Sequence, residues 1–253
     1  MGLGPDAATG SGRHATGGPG RVVFWSSEGT ALDPVRVQQL VKAIEGKDLS
    51  TAAHTWRVVL YTLAMAEEEG VAAERLRELT HAAALHDVGK LDTPREILTK
   101  PGKLTDAEFE VIQQHPVSGF ARMVAMDVED PLVLDLVRFH HERWDGKGYP
   151  YGYAGEEIPA AARHFAVVDT FDALTSHRPY RHEVGEDAAD RAIMELKRGA
   201  GTHHAPESVE MFTELYRRGR LTWILHYFND GDDVPDFAHA EEAGRVFRRR
   251  RGR

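Results

Sequence analysis

The sequence contains no cysteine among its 253 residues. This absence excludes a disulfide framework and any metal site built on thiolates. A metal bound by this chain must take nitrogen and oxygen ligands, which favours iron, manganese, zinc or magnesium over softer metals. A chain without cysteine also fits a reducing compartment, and we expect a cytoplasmic location.

Long apolar runs are absent too. No stretch approaches the roughly 18 residues needed to cross a bilayer, so we expect no transmembrane segment, and the glycine-rich first twenty residues lack the apolar centre of a signal peptide. The formal net charge of −9 argues against nucleic-acid binding by the body of the protein. Residues 244–253 differ, because they hold six arginines. They are typical of a solvated tail, with contact to an anionic partner or membrane surface as the alternative.

Apolar residues make up 42% of the chain and charged residues 28%, which is ordinary for a globular protein with a proper core. Apolar residues recur mainly at helical spacing. We therefore predict a single all-α domain of about seven to nine helices. Its expected limits are a flexible leader at 1–28, a helical domain at 29–220, and a C-terminal extension at 221–253 that ends in the arginine-rich tail.

Helix signals divide this domain. Asp33 and Pro34 are typical of a helix start, and Thr105 with Glu108 has the pattern of a capping box. Residues 91–103 and 142–159 are expected to be loops, and the apolar residues 221–228 could pack on the domain. The predicted helices cover residues 34–46, 51–69, 75–86, 106–115, 117–126, 131–139, 160–174, 186–198 and 206–217.

Side chains of the metal-binding type fall at the ends or on the inward faces of these helices. Asp87 has two oxygens and could bind one cation with each, which makes it the natural bridge of a two-metal site. Asp169 lies in an apolar run, where a buried carboxylate needs a charge partner or a metal. Each residue alone could be structural, but the set predicts a metal centre. The candidate ligands are His54, His86, Asp87, His115, His140, His141 and Asp169. The histidines expected to be structural are His81, His164, His182, His203, His204, His226 and His239.

Two motifs carry a resemblance to a known family. One is His86–Lys90 and the other is His140–Pro150. Together with Pro94–Leu98, Gln114–Pro116 and Asp169–Arg181, they resemble the HD-GYP branch of the HD phosphohydrolase superfamily. The resemblance covers most of the predicted helical domain. It implies an HD-type helical, metal-dependent phosphodiesterase of bacterial signalling that hydrolyses cyclic di-GMP to pGpG, and in some members to GMP.

The resemblance also implies how the ligands divide. One metal would take His54, His86, Asp87 and Asp169, and the second would share Asp87 and take His115, His140 and His141. Both are expected to be iron or manganese. Members with a third metal carry a glutamate four residues before the first ligand histidine. Ser50 stands there in this chain, so we predict two divalent ions.

The expected reaction uses a hydroxide bridging the two metals, which attacks phosphorus in line with the leaving 3′ oxygen. Asp87 and Lys90 are the expected catalytic residues, Lys90 by touching the phosphate; a solvated loop lysine is its alternative. Arg178 and Arg181 could bind the second phosphate or a guanine, since a planar guanidinium suits both. The acid that protonates the leaving group is unassigned.

The segment 145–150 resembles the family's substrate-facing and partner-facing loop. Trp144 and Tyr149 could stack on a base or serve only in packing, and Asp172 could also be a helix cap or an ion-pair partner. A cyclase-type or other signalling protein is the expected partner, and a homodimer is open. The expected substrate contacts beyond the lysine and arginines are Trp144, Asp145, Gly146, Gly148, Tyr149, Pro150 and Asp172.

One departure from the family pattern precedes the last predicted helix. His204-Ala205-Pro206 stands where members show Phe-Asp-Pro, so we expect a helix cap to be missing there.

Three other functions compete with the phosphodiesterase. The chain could hydrolyse another cyclic or linear nucleotide, or it could be a catalytically weak module that senses a dinucleotide or docks onto a partner. A plain helical scaffold leaves the carboxylate of Asp169 unexplained. Residues 1–50 contain a leader and one helix, so regulation is expected to come from a partner, from oligomerisation or from expression, unless the chain is a fragment.

Overall fold

The described part of this protein is built from helices. The computed structural model describes residues 32–48, 52–176 and 186–230. Over this part of the chain it contains helices and two isolated β-bridges, and no named strand, which confirms the predicted all-α class. The leader at 1–28, Ser50, Arg178, Arg181 and the arginine-rich tail lie outside the described residues.

Eleven α-helices are present in the described part of the chain, and short 3₁₀ turns connect some of them. Their number exceeds the expected seven to nine because α4 lies in a predicted loop and α11 in the apolar segment that follows residue 220. The helices are α1 (Pro34–Asp48), α2 (Ala52–Glu69), α3 (Leu76–Leu85), α4 (Arg95–Leu98), α5 (Asp106–Ile112), α6 (His115–Val124), α7 (Pro131–Phe139), α8 (Ala160–Thr175), α9 (Glu186–Gly199), α10 (Pro206–Arg217) and α11 (Thr222–Asp230).

The predicted caps account for several helix starts. The side chain of Asp33 accepts a hydrogen bond from the Val35 amide at 3.1 Å, and Thr105 with Glu108 forms the expected capping box of α5. One boundary was predicted wrongly. His115 begins α6, although we expected it to end the preceding helix, because Pro116 takes the first turn of a new helix, where its missing N–H costs nothing.

Helix α2 runs through the core and packs against α3, α8, α10 and α11. Tyr61 on α2 is fully buried, and its ring meets Phe171 of α8 edge-on at 5.5 Å and Phe212 of α10 at 5.9 Å. Edge-to-face contacts of this kind add to the burial of apolar surface. They fix α2 relative to α8, and these two helices carry the candidate ligands His54 and Asp169.

The packed body continues past the boundary expected at residue 220. Leu221, Ile224, Leu225 and Phe228 follow a helical stripe and are buried in the same core. The first part of the predicted C-terminal extension therefore belongs to the domain. Among the described helices, none combines the length and apolarity required to cross a membrane.

A close backbone approach sets the position of α6. A Cβ atom on Gly89 would lie 1.8 Å from the carbonyl oxygen of His115 and 2.5 Å from the amide nitrogen of Gly119. Neither atom can move without moving α6 itself, so glycine is required at position 89. This contact holds the start of α6 beside the segment Val88–Asp92, and therefore brings His115 close to Asp87.

We expect Gly89→Ala to lower the free energy of unfolding by about 2–3 kcal/mol or more, because the added methyl group forces backbone apart. Gly46→Ala is the matched control. In α1 the added Cβ meets nothing within 4 Å, so this change should stabilise the protein by about 0.5–1 kcal/mol. Urea unfolding followed by circular dichroism measures both, and equal effects would contradict the role of the close approach.

The segment before α10 differs from the family pattern as expected. Ala205 occupies the N-cap position of α10 and makes no side-chain cap bond. His204 beside it is buried, and its Nδ1 has no hydrogen-bond partner among the residues that the structure describes. Burial, with help from His203 and Arg143, lowers the pKa of His204 to about 4.

His204 should therefore make stability depend on pH. Its folded pKa of about 4 lies below the unfolded value of 6.5, so the unfolded chain binds more protons between these limits and stability falls as the pH is lowered from about 6.5 to 4. We expect His204→Phe to remove about 2–3 kcal/mol of this loss. Chemical unfolding of both chelator-treated proteins at several pH values measures it, and parallel curves would refute the assignment.

Candidate metal centre

Asp87 lies at the junction of α3 and the 3₁₀ turn Val88–Asp92, directly after His86, which caps α3. The ends of three other helices reach the same place. His115 opens α6, and His140 follows the last residue of α7. His54 lies in the first turn of α2. Apart from Asp169, which lies within α8, the candidate ligands therefore come from the ends of four helices rather than from one continuous motif.

These side chains form two groups that share one carboxylate. In each group the ligand atoms lie within 4.8 Å of one another. Oδ2 of Asp87 is 3.1 Å from Nε2 of His86, and Oδ1 is 3.3 Å from Nε2 of His115. The two oxygens of Asp87 thus face different groups, which is the arrangement required of a bridging ligand. The groups are His54, His86 and Asp87, and Asp87, His115, His140 and His141.

The backbone fixes the tautomers of three rings. Nδ1 of His86 faces the Ala83 carbonyl oxygen at 2.8 Å, Nδ1 of His115 faces that of Ile112 at 2.8 Å, and Nδ1 of His140 faces that of Val137 at 3.0 Å. A carbonyl oxygen only accepts, so each Nδ1 carries the hydrogen. Each carbonyl belongs to the last turn of a helix, where intrahelical partners run out. In all three rings Nε2 is left for a ligand.

Two of these Nε2 atoms lie against each other. Nε2 of His115 is 3.2 Å from Nε2 of His140, and both rings are buried. With the hydrogens on Nδ1, both Nε2 atoms present lone pairs, and two acceptors cannot form a hydrogen bond. A cation between them satisfies both. The site therefore fits a divalent metal held by imidazole and carboxylate.

The charge states agree with this assignment. Burial, and the neighbouring histidines, hold the pKa of His140 well below its usual value and lower that of His141 to about 3, so both rings are neutral, as metal ligands must be. Burial alone would raise the pKa of Asp87, but His86 and Lys90 outweigh it and hold that pKa well below its usual range. In the group around His140 and His141, neutral imidazoles thus surround an ionised carboxylate.

Lys90 is bound between two carboxylates. Its ammonium group lies 2.6 Å from Oδ2 of Asp87 and 3.0 Å from Oδ2 of Asp48, and it keeps 22% exposure. Lys90 therefore holds the bridging carboxylate in place and adds positive charge at the edge of the centre. Asp48, at the end of α1, was not identified from the sequence, since nothing near it in the chain marks it as part of a site.

The structure does not bring Asp169 into either group. It lies on α8 and is half-buried. Burial would lower the pKa of His86, but Asp87 and, to a smaller extent, the charge of Asp169 raise that pKa to about 9. Asp169 is close enough to act on the centre through its charge. Its oxygens lie outside the 4.8 Å separation that joins His54, His86 and Asp87.

A buried carboxylate organises the loop after α7. Glu142 is 3% exposed, and its oxygens accept from the amides of Tyr151 at 2.8 Å and Gly152 at 3.1 Å. Gly148 allows the loop to close, because a Cβ there would lie 2.3 Å from the Arg143 nitrogen. Glu142 was not identified from the sequence, although a carboxylate before a glycine-rich loop is a usable signal for such anchoring.

Tyr149 connects this loop to the metal centre. Its ring stacks on His141 with centroids 4.7 Å apart and meets His115 edge-on at 6.3 Å. Phe109 of α5, 46% exposed, lies on the outer side with its ring 6.3 Å from that of Tyr149. Sequence analysis missed Phe109, which belongs to an exposed helix face and to no motif. Tyr149 therefore lies next to the ligands, at the edge of the site.

The other residues predicted to contact the substrate contribute to the structure of the loop that follows α7. Asp145 pairs with Arg143 at 2.6 Å and accepts from the Lys147 amide at 3.2 Å. Gly146 has a φ of 72°, which favours glycine, and Pro150 follows a cis peptide bond. The ring of Trp144 lies 5.7 Å from the guanidinium of Arg163 on α8, in the packing of the loop against that helix.

Asp172 is buried next to His54 and belongs to neither metal-binding group. Only 2% of the residue is exposed, and its carboxylate accepts from His54 at 2.8 Å and from Arg57 and Ser176. With its oxygens bound in this way, Asp172 has no access to a substrate. The prediction that Asp172 contacts the substrate is therefore corrected. Asp172 is an ion-pair partner, which was the stated alternative.

Comparison with known proteins agrees with the geometry. A cyclic di-GMP phosphodiesterase of Thermotoga maritima is 41% identical over 183 residues, which cover 69% of this chain and 49% of that protein. The 3′3′-cGAMP-specific phosphodiesterase 2 of Vibrio cholerae is 35% identical over 70% of this chain and 34% of that protein. The chain thus spans half or less of the length of these relatives.

Solved structures and a family model complete the comparison. A cyclic GMP-AMP specific phosphodiesterase of Vibrio cholerae superposes with a TM-score of 0.58 at 15% identity, over 84% of this chain and 53% of that one; at that identity the likeness concerns the fold alone. The sequence model of the HD domain matches residues 39–207, which include every candidate ligand. The chain therefore belongs to the HD domain family, as its motifs predict.

Proposed function

We propose that this chain is a metal-dependent phosphodiesterase that hydrolyses cyclic di-GMP to pGpG, and further to GMP where the linear product binds again. One observation carries the proposal: the two oxygens of Asp87 face two separate groups of histidines. A carboxylate shared in this way suits a pair of cations a few ångströms apart, the arrangement used for in-line displacement at phosphorus.

The two metals would be held by the groups described above. His54, His86 and Asp87 would bind one ion, completed by Asp169, and Asp87 with His115, His140 and His141 would bind the other. The donors are nitrogen and oxygen only, and mixed imidazole–carboxylate sites of this kind suit iron or manganese. Bound there, the cations would lower the pKa of a water molecule toward neutrality and offset the charge of the phosphoryl oxygens.

The chain's own residues would position the substrate. Lys90 carries a positive charge at the edge of the centre, beside Asp87, where a phosphate oxygen can approach it. Tyr149 presents an aromatic edge next to the ligands, and Phe109 lies beyond it. Base–aromatic stacking contributes about 1–3 kcal/mol per base. These two rings would therefore bind a guanine while the metals hold the phosphodiester.

A second candidate substrate is 3′3′-cGAMP. It is supported by the relative of that name from Vibrio cholerae, which shares 35% identity over 70% of this chain. Cyclic di-GMP and 3′3′-cGAMP differ in one base, so the metal centre would treat them alike. The residues that contact the base would decide between them, and Arg178 and Arg181 remain candidates for that role.

The loop could also serve a protein partner. Tyr151 and Tyr153 are 41% and 39% exposed, and Tyr153 stacks on Phe139 at 5.3 Å. Exposed tyrosines on a well-anchored loop are common in protein interfaces. A cyclase-type or other signalling protein would bind here, on a surface different from the metal centre.

We expect the protein, purified without oxygen, to contain close to two iron or manganese ions per chain, and Asp87→Ala to lose them. Loss of the shared ligand should lower turnover of cyclic di-GMP by more than about a hundredfold, since the cations supply several kcal/mol of transition-state stabilisation. Elemental analysis and chromatography of the nucleotides measure the two effects.

The control is Asp92→Ala, in the same 3₁₀ turn. Asp92 pairs with Arg122 at the surface, so this variant should keep both metals and full activity. Robust hydrolysis by the Asp87→Ala variant would rule out a bridging role for that residue.

Substrate choice is tested by comparing kcat/KM for cyclic di-GMP, 3′3′-cGAMP and cyclic di-AMP with one metal-loaded preparation. We expect the highest value for cyclic di-GMP, because the relative of that activity shares the greater identity, 41%. A preference for 3′3′-cGAMP would establish the second candidate. Full metal loading without hydrolysis of any of the three would instead identify a binding module.

A further inference from the structure

His54 differs from the other ligand histidines in what holds its ring. Rings that follow a helix end donate from Nδ1 to a carbonyl of the last turn, as His86 does to Ala83. His54 lies in the first turn of α2, which begins at Ala52. The unsatisfied groups of a first turn are N–H donors, not carbonyl acceptors. The acceptor that the structure gives to Nδ1 of His54 is instead a side chain.

A carboxylate from another helix takes that place. Oδ2 of Asp172, on α8, lies 2.8 Å from Nδ1 of His54. Asp172 is bound in turn by Arg57, through Nε to Oδ1 and through Nη2 to Oδ2 at 3.2 Å, and by the hydroxyl of Ser176 at 2.9 Å. Arg57 is three residues after His54 on α2, so both side chains lie on the face that meets α8.

We infer that Asp172, held by Arg57, is a positioning residue for metal binding: it fixes the hydrogen on Nδ1 of His54 and directs Nε2 toward the cation shared with His86 and Asp87. The inference rests on the proposed metal centre and adds a role that the ligand set alone does not contain. Partners behind a ligand histidine generally set its tautomer and increase its basicity, and their loss costs about 10- to 100-fold in metal affinity.

The charges support this arrangement. Burial would raise the pKa of Asp172, but Arg57 and His54 outweigh it and hold that pKa well below its usual range. The carboxylate is therefore held in its ionised form, which accepts hydrogen bonds. Arg57 is 4% exposed, and removing Asp172 alone would leave its charge buried without a partner, which is strongly destabilising.

The test therefore uses paired variants that remove both charges. R57M/D172L removes the carboxylate that faces Nδ1 of His54, whereas R57M/D172N keeps a neutral carboxamide oxygen in that position. We expect R57M/D172L to bind Mn²⁺ about 10- to 100-fold more weakly than the wild type, measured by competition with a chelator. R57M/D172N should lie closer to the wild type. Replacing a buried ion pair by neutral side chains is often tolerated, so both should fold.

A control separates positioning from stability. Asp130→Asn breaks the Arg75–Asp130 pair, which has contacts of 2.8 and 3.0 Å, away from the centre. It should lower the melting temperature and leave Mn²⁺ affinity unchanged. Wild-type affinity in R57M/D172L would overturn the positioning role. Failure of the wild type itself to bind Mn²⁺ would instead overturn the proposed function, so the two failures are distinguishable.

A measurement on the unaltered chain covers the case in which neither double variant folds. In the metal-free protein at neutral pH, long-range ¹H–¹⁵N spectra of the imidazole rings report which nitrogen carries the hydrogen. We expect Nδ1 of His54 to be protonated, with its ring assigned by comparison with His54→Gln. A hydrogen on Nε2 alone would refute the inference.

Discussion

A buried carboxylate surrounded by imidazoles is the constraint on which the rest of this structure depends. Asp87 is 7% exposed, and an ionised group that far from water must be paired or bound to metal. Lys90 and His86 pair with one of its oxygens, whereas the imidazoles that face the other oxygen present lone pairs rather than positive charge. Bound metal would therefore balance the charge of this centre best. The helix ends hold the ligand side chains in the positions that a metal requires.

Helix ends are what make this arrangement possible. A ring at the end of a helix can donate to a carbonyl that has no intrahelical partner, as His140 does to Val137. The same bond satisfies the backbone and fixes the tautomer of the ligand. Nδ1 of His54, in the first turn of a helix, instead faces the carboxylate of Asp172. The direction in which each helix approaches the centre thus decides which ligands require a second side chain behind them.

Sequence patterns predicted the parts that depend on local chemistry. Helical periodicity and capping residues such as Thr105 gave the all-α class and most helix positions, and the His-Asp motif with its companions indicated which side chains could meet. The position of Asp172 could not be obtained in this way. Its partner, Arg57, is 115 residues away in the chain, and only the packing of α2 on α8 brings them together. The start of α6 at His115 was also misjudged, because Pro116 is compatible with a helix boundary of either kind.

A usable signal for the missing pair was nevertheless present. Arg57 follows Trp56 and precedes Val58 in a run that is otherwise apolar, and Asp172 lies in a similar run on α8. One charge in a buried helix is unfavourable, but two of opposite sign on different helices can compensate each other when the helices pack together. Such a pair also specifies register, since a shift of α2 against α8 by one turn would separate the charges. The ion pair that orients His54 therefore fixes the alignment of the two helices, so ligand geometry and core packing at this end of the domain have a common origin.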